Sequence, residues 1–237
     1  MFVLTSFEVG RPEFDPAQVL PEVQPSLWSG VLLTLILAAV TAVLSFPLGV
    51  LLALGRTSRL PVVRVSCVTV IEVVRGVPLI TILFMAQVML PMFLPLDFSI
   101  DRVLRAIAGM TIFTAAYLAE VVRGGLQAAP REQIEAARAL GLSELLVTFL
   151  VVLPQALRLV IPAIMGQLVS MFKDTTLVAI IGLLELLGIL SSITKQREFL
   201  GTVREVYLLA AAFYFVICYA ISVASRRVET RLGVGTR

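Results

Sequence analysis

Histidine is absent from this 237-residue sequence, and charged residues are few, at 15% of the chain. Without histidine, Ser-His-Asp and Cys-His catalysis and histidine metal ligation are excluded. The two cysteines, Cys67 and Cys218, are far apart in apolar stretches, which favours free buried thiols over a disulfide or a metal site. The chain also lacks a G-x-x-x-x-G-K-[ST] phosphate loop, so we predict that it does not hydrolyse ATP itself.

Apolar residues dominate instead, at 59% of the sequence. A soluble domain of this length needs a far more polar surface, so most side chains face lipid or one another. The apolar stretches are continuous rather than alternating, which favours helices over a membrane β-barrel. We therefore predict an all-α integral membrane protein in contact with lipid. The net charge of +3 is interpreted as basic cytoplasmic loops rather than as a nucleic-acid-binding surface.

Six apolar segments follow one another along the chain. They cover residues 27–54, 65–94, 103–122, 145–172, 177–193 and 206–224. The second segment is long and is interrupted by Glu72, Arg75, Gly76 and Pro78, so we expect its first part at or below the cytoplasmic interface. The segment 177–193 is the shortest and has Glu185 in its middle, which favours a re-entrant or outer-surface helix. We therefore predict that the other five segments cross the membrane as helices.

Charge asymmetry predicts the orientation of these helices. The loop after the first span and the C-terminal tail are basic, whereas residues 1–25 carry four acidic residues and one arginine. The positive-inside rule then places the N-terminus outside and the C-terminus in the cytoplasm. We expect residues 1–25 to form an extracytoplasmic segment and residues 26–237 to form one transmembrane domain.

The polar stretch 123–144 is longer than a loop between two spans needs to be. Pro130 suits a helix start and Gly141 suits a left-handed C-terminal cap, so we predict a short cytoplasmic helix between them. Ile134, Ala137 and Leu140 would form a narrow apolar stripe that fits a partner's groove. The residues alone leave open a second interpretation, a helix lying on lipid headgroups.

The same stretch resembles the EAA signature of ABC importer permeases. The matching residues are Glu135, Ala136, Ala137, Gly141, Val151, Leu153 and Pro154. Further segments at 72–80, 116–125, 153–162 and 172–177 are similar to the polar amino-acid branch of this family, and most similar to general L-amino-acid permeases. The resemblance implies the type I importer permease fold, with the 130–141 helix as a coupling helix that docks on the ATPase. The coupling residues it implies are Gln133, Glu135, Ala136, Ala137, Leu140 and Gly141.

The resemblance also implies a set of partners in a bacterial inner membrane. They are two ABC ATPase subunits that carry ATP-Mg, a second permease subunit and a periplasmic amino-acid-binding protein. A heterodimer of permease subunits is favoured, and a homodimer is the alternative. No cofactor is expected on the chain itself.

Charges within spans are costly and are expected to face a cavity or a partner. An amino acid is a zwitterion, so we predict that Arg75 receives its carboxylate and that Asp174, with Thr175, receives its ammonium. Gly76 and Pro78 would break the helix and expose backbone groups to the substrate. The alternative is that these charges are structural or interfacial.

Rival functions are an ion-coupled secondary transporter, a membrane enzyme, and a scaffold subunit whose sister holds the substrate. A secondary transporter would be expected to show inverted repeats, and the sequence shows no such symmetry.

Overall fold

The computed structural model describes residues 29–93 and 100–231. The predicted N-terminal segment 1–25 lies outside the described residues. Eight helices make up the described part, and the prediction of an all-α protein is confirmed. They are α1 (Gly30–Arg56), α2 (Pro61–Gly76), α3 (Leu79–Met92), α4 (Arg102–Gln127), α5 (Arg131–Ala139), α6 (Glu144–Ile181), α7 (Leu186–Ile193) and α8 (Val203–Arg231). A 3₁₀ turn at Arg197–Phe199 precedes α8.

Four helices, α1, α4, α6 and α8, are long and apolar enough to cross a membrane. The pair α2 and α3 supplies a fifth crossing if the two count as one broken span, because their axes differ by 104°. Val77 is extended at the break, with φ −112° and ψ 135°, since the residue before a proline disfavours the helical region. The predicted break at Gly76 and Pro78 is confirmed, and so is the five-span architecture.

Helix α2 lies across the basic end of α1 instead of running parallel to it. Cys67 packs beside Gly55 of α1, and Ile71 packs with Ala53 of α1 and Ala119 of α4. These contacts stay within one short stretch of α1, so α2 crosses the bundle at a single level. Its first part therefore lies near the end of the bundle that the positive-inside rule assigns to the cytoplasm.

Small residues let α4 approach its neighbours closely. A Cβ atom on Gly49 of α1 would lie 2.8 Å from the Cβ of Leu118, and one on Gly125 would lie 2.6 Å from the carbonyl oxygen of Ala156 in α6. Membrane helices associate largely through such close packing, because lipid offers no hydrophobic driving force between them. α4 is thus the centre of the bundle, with α1 and α6 against it and α8 against α6.

The segment 177–193, predicted as one short helix, is divided in two. Its first part is a 3₁₀ turn, Thr175–Ile181, that ends α6. Gly182 then adopts a left-handed conformation with φ +83°, which glycine allows without steric cost, and the chain reverses. Glu185 caps α7, so the separate short helix covers Leu186–Ile193 only.

Candidate functional site

Helix α5 has the ends that its sequence predicts. Pro130 is its N-cap residue, and the helix runs from Arg131 to Ala139. Gly141 follows with φ +81°, and its N–H donates to the Arg138 carbonyl oxygen at 2.9 Å. This left-handed cap stops the helix abruptly and exposes its last turn.

The surface of α5 differs from the predicted apolar stripe. Ala137 is only 5% exposed, whereas Leu140 is 82% exposed, so the two residues point in different directions. Ala137 faces the chain's own structure because α5 packs on the first turns of α6 and the Leu142 N–H donates to the Ala137 carbonyl oxygen at 3.3 Å. The predicted stripe that joins Ala137 to Leu140 is therefore wrong, and the docking of α5 on a partner stays a prediction. The exposed members of the predicted coupling set, named the coupling face here, are Gln133, Glu135, Ala136, Leu140 and Gly141.

An ion-pair chain ties α5 to the loop between α1 and α2. Arg138 donates from Nε and Nη2 to the two oxygens of Glu144, at 2.8 and 3.1 Å. The Oε2 atom of Glu144 also lies 3.2 Å from Nη2 of Arg59. All three side chains are solvent-exposed, so these contacts orient α5 more than they stabilise the fold.

A second cluster of charges lies where α2 meets α1 and α4. We name it the elbow cluster; its members are Arg56, Glu72, Arg75, Glu120 and Arg123. Glu120 is at its centre, and all three arginines converge on that carboxylate. Arg56 donates to it at 3.1 Å and Arg123 donates from Nε at 2.8 Å, whereas Nη1 of Arg75 is 3.5 Å away.

Arg75 is the least satisfied arginine of the elbow cluster. Its guanidinium lies 5.4 Å from the ring centroid of Tyr117, a cation–π contact. Its Nε atom is inaccessible and has no hydrogen-bond partner among the described residues. The side chain is 32% exposed, so part of it is open to a further group.

The other predicted site residues lie elsewhere. Asp174 is partly buried at the last α-helical turn of α6, and Thr175 is fully buried and donates to the Phe172 carbonyl oxygen at 2.7 Å. The ring of Tyr214 packs on Phe172, with 5.5 Å between the ring centroids. Thr175 is therefore buried in the packing between α6 and α8 rather than placed on an open surface.

Glu185 is the centre of a buried polar cluster, whereas from the sequence alone it indicates only that segment 177–193 is re-entrant or lies at the outer surface. Its carboxylate is 0% exposed and accepts from Leu187 N at 2.9 Å, Gly188 N at 2.7 Å and the Tyr214 hydroxyl at 2.9 Å. The Thr34 hydroxyl of α1 approaches it at 3.4 Å. Glu185 thus links α1, α7 and α8. An acidic residue inside an apolar run is the signal that pointed to it.

The predicted site residues therefore form two groups in one chain. Arg75 connects through Glu120 to Arg56, at the basic end of α1. Thr175 begins the 3₁₀ turn Thr175–Ile181, which contacts the first turns of α3, just after the break that follows Arg75. No hydrogen bond or ion pair joins Arg75 and Thr175 among the described residues, so a combined site stays a prediction.

Comparison with known proteins identifies the family. Residues 45–234 match the model of the binding-protein-dependent transport system inner membrane component family. The inner-membrane amino-acid ABC transporter permease YhdY of Escherichia coli K12 is 47% identical over 91% of this chain and 59% of its own length. The glutamate/glutamine/aspartate/asparagine permease BztC of Rhodobacter capsulatus is 45% identical, over 90% and 49%. The chain thus spans about half to three fifths of these two relatives.

Other comparisons cover most of both chains. The probable glutamine permease GlnP of Bacillus subtilis is 37% identical over 86% of this chain and 93% of its own. A crystal structure of an amino acid ABC transporter with histidines superposes with a TM-score of 0.74 at 28% identity, covering 85% of this chain and 92% of that one. The predicted resemblance to amino-acid ABC permeases is confirmed, and the chain belongs to the binding-protein-dependent transport system inner membrane component family.

Proposed function

We propose that the chain is the transmembrane permease subunit of an ATP-binding-cassette importer for L-amino acids. It would pass substrate from a binding protein through a cavity between two permease subunits by alternating access. The observation that carries this proposal is α5, an exposed helix with an abrupt glycine cap. The printed names of the relatives, which are amino-acid permeases, support the substrate class.

The proposed assembly has two ABC ATPase subunits, which bind ATP-Mg, and a second permease subunit, with a heterodimer favoured. An extracytoplasmic amino-acid-binding protein delivers the substrate. The coupling face of α5 docks on an ATPase in the cytoplasm, and the ion-pair chain through Glu144 fixes its orientation. The N-terminus is then outside a bacterial inner membrane and the C-terminus inside, in line with the basic end of α1.

ATP dependence tests this function. We expect proteoliposomes that contain the complete complex to accumulate an amino acid only with ATP on the coupling-face side and binding protein on the other side. Ionophores that collapse ion gradients should leave the initial rate unchanged, because nucleotide binding drives the cycle. Uptake that stops with ionophores and proceeds without ATP would establish the secondary-transport alternative instead.

The predicted site residues offer both charges that a zwitterionic substrate needs. Arg75, beside the break at Gly76 and Pro78, offers a partly exposed side chain whose Nε atom has no hydrogen-bond partner among the described residues. Asp174 offers a carboxylate for an ammonium group, whereas the Thr175 hydroxyl is already bonded to the backbone. We propose that a substrate carboxylate meets Arg75 and that the ammonium of a substrate meets Asp174.

Replacing Arg75 by glutamine should lower amino-acid uptake at least about tenfold. Hydrogen bonds from a guanidinium to a carboxylate contribute about 1.5–3 kcal/mol, and 1.4 kcal/mol is a factor of ten. The matched control is Arg64→Gln in the same helix, since Arg64 is exposed and has no ion pair among the described residues. Asp174→Asn should also reduce uptake. Wild-type initial rates for Arg75→Gln, at equal expression, would reject Arg75 as a substrate ligand and favour the scaffold alternative.

A further inference from the structure

The elbow cluster has a net positive charge. It contains three arginines and two glutamates, which leaves one positive charge in excess among the paired side chains. Partly buried charges are costly unless they are paired, so the excess calls for an anion. The question is which arginine would receive that anion.

Two of the arginines have a second partner besides Glu120. Arg56 also donates to Glu72 at 3.0 Å, and Arg123 also donates to the Gln127 side-chain oxygen at 2.8 Å. Arg75 has no second carboxylate or amide within the described residues, and its one ion pair, at 3.5 Å, is the longest of the cluster. Arg75 is therefore the arginine that an incoming anion displaces from Glu120 most easily.

We propose that Glu120 is a resident carboxylate that occupies Arg75 while no substrate is bound, and that the carboxylate of an incoming amino acid displaces it. This inference rests on the proposed role of Arg75 as a substrate ligand. Glu120 keeps its charge partners after displacement, because Arg56 and Arg123 still hold it. Arg75 exchanges one carboxylate for another, so it has an anionic partner in both states, and the substrate carboxylate neutralises the excess positive charge.

The exchange has a structural consequence. The Arg75–Glu120 pair joins α2 to α4, immediately before the 104° bend between α2 and α3. When a substrate carboxylate binds Arg75, the ion pair between Arg75 of α2 and Glu120 of α4 is lost. The ion pair between Arg56 of α1 and Glu120 of α4 remains. Glu120 is thus a positioning residue that connects occupancy of Arg75 to the packing of α2.

Chemical labelling of Arg75 tests the proposal without relying on transport. The reagent is phenylglyoxal, which modifies accessible guanidinium groups, and labelling of Arg75 in the purified complete complex is followed by mass spectrometry. In Glu120→Gln, Arg75 should be labelled several-fold faster than in wild type, because Arg75 loses its sole anionic partner, whereas Arg123 keeps its hydrogen bond to Gln127. The matched control is Glu72→Gln, which removes a partner of Arg56. In this variant, phenylglyoxal should label Arg75 at the wild-type rate.

A ligand arm tests whether a substrate carboxylate occupies the place that Glu120 leaves. In the Glu120→Gln complex, L-glutamine should slow labelling of Arg75, whereas its carboxamide derivative, which lacks the carboxylate, should not. Equal protection by both compounds, or protection by neither, would overturn the binding of a carboxylate in that place. Equal labelling of Arg75 in wild type and Glu120→Gln would overturn the resident pair. Both failures differ from failure of the proposed substrate role, which appears as normal uptake by Arg75→Gln.

A second variant keeps the test decisive if Glu120→Gln does not assemble. Arg123→Gln removes the closest cation from Glu120 while Arg75 and Glu120 are both retained. Glu120 is then shared between fewer arginines and should hold Arg75 more tightly. Labelling of Arg75 should become slower than in wild type, and unchanged or faster labelling would contradict the proposal.

Discussion

Replacing Glu185 by alanine is expected to destabilise the fold by several kcal/mol. The carboxylate is fully buried and accepts two backbone N–H groups, from Leu187 and Gly188, and the Tyr214 hydroxyl. Each buried donor that loses its partner costs about 1–3 kcal/mol, and the vacated volume adds a cavity term. The variant also removes the link between α1, α7 and α8.

The measurement is the melting temperature of the purified subunit in detergent, together with its yield. Glu185→Gln should lower the melting temperature less than Glu185→Ala does. The amide keeps one acceptor oxygen, and the hydroxyls of Thr34 and Tyr214 can both donate and accept. Glu132→Ala is the control, since Glu132 is an exposed acid on α5. If Glu185→Ala melts like the control, the buried cluster does not hold these helices together.

Local chemistry allowed several elements to be predicted from the sequence. The break between α2 and α3 follows from Gly76 and Pro78, and the ends of α5 follow from Pro130 and Gly141. Each of these depends on the backbone preferences of one or two residues, so neighbouring sequence contains the necessary information.

Contacts between distant residues could not be predicted in the same way. Ala137 faces inward because α5 packs on α6, which no stripe within α5 reveals. Glu120 and Arg75 lie in different helices, and their pairing depends on how α2 crosses α4. The sequence marked Arg75 as a costly intramembrane charge, but its partner required the packing of the whole bundle.

The second prediction with a large effect concerns the coupling face. Gly141→Asp should abolish uptake and stimulated ATP hydrolysis together while the complex still assembles. No atom lies within 4 Å of a Cβ at Gly141, and aspartate is among the residues that tolerate a left-handed conformation. The fold therefore has room for the side chain, at the cost of some backbone strain, whereas the coupling face gains bulk and negative charge beside the exposed Leu140.

Gly201→Asp is the matched control for backbone strain. Gly201 has φ +97° and open space around its Cβ position, and it lies just before α8, far along the chain from α5. Both variants place the same side chain on a left-handed backbone. A loss that is specific to Gly141→Asp therefore reports on the docking of α5 and not on strain.

The most direct test of the importer proposal is the rate of ATP hydrolysis by the reconstituted complex, with and without amino-acid-loaded binding protein, for wild type, Gly141→Asp and Gly201→Asp. We predict that wild type and Gly201→Asp respond to the binding protein and that Gly141→Asp does not, although it assembles with its ATPases. Stimulation of Gly141→Asp at the wild-type level would contradict the assignment of α5 as the coupling helix.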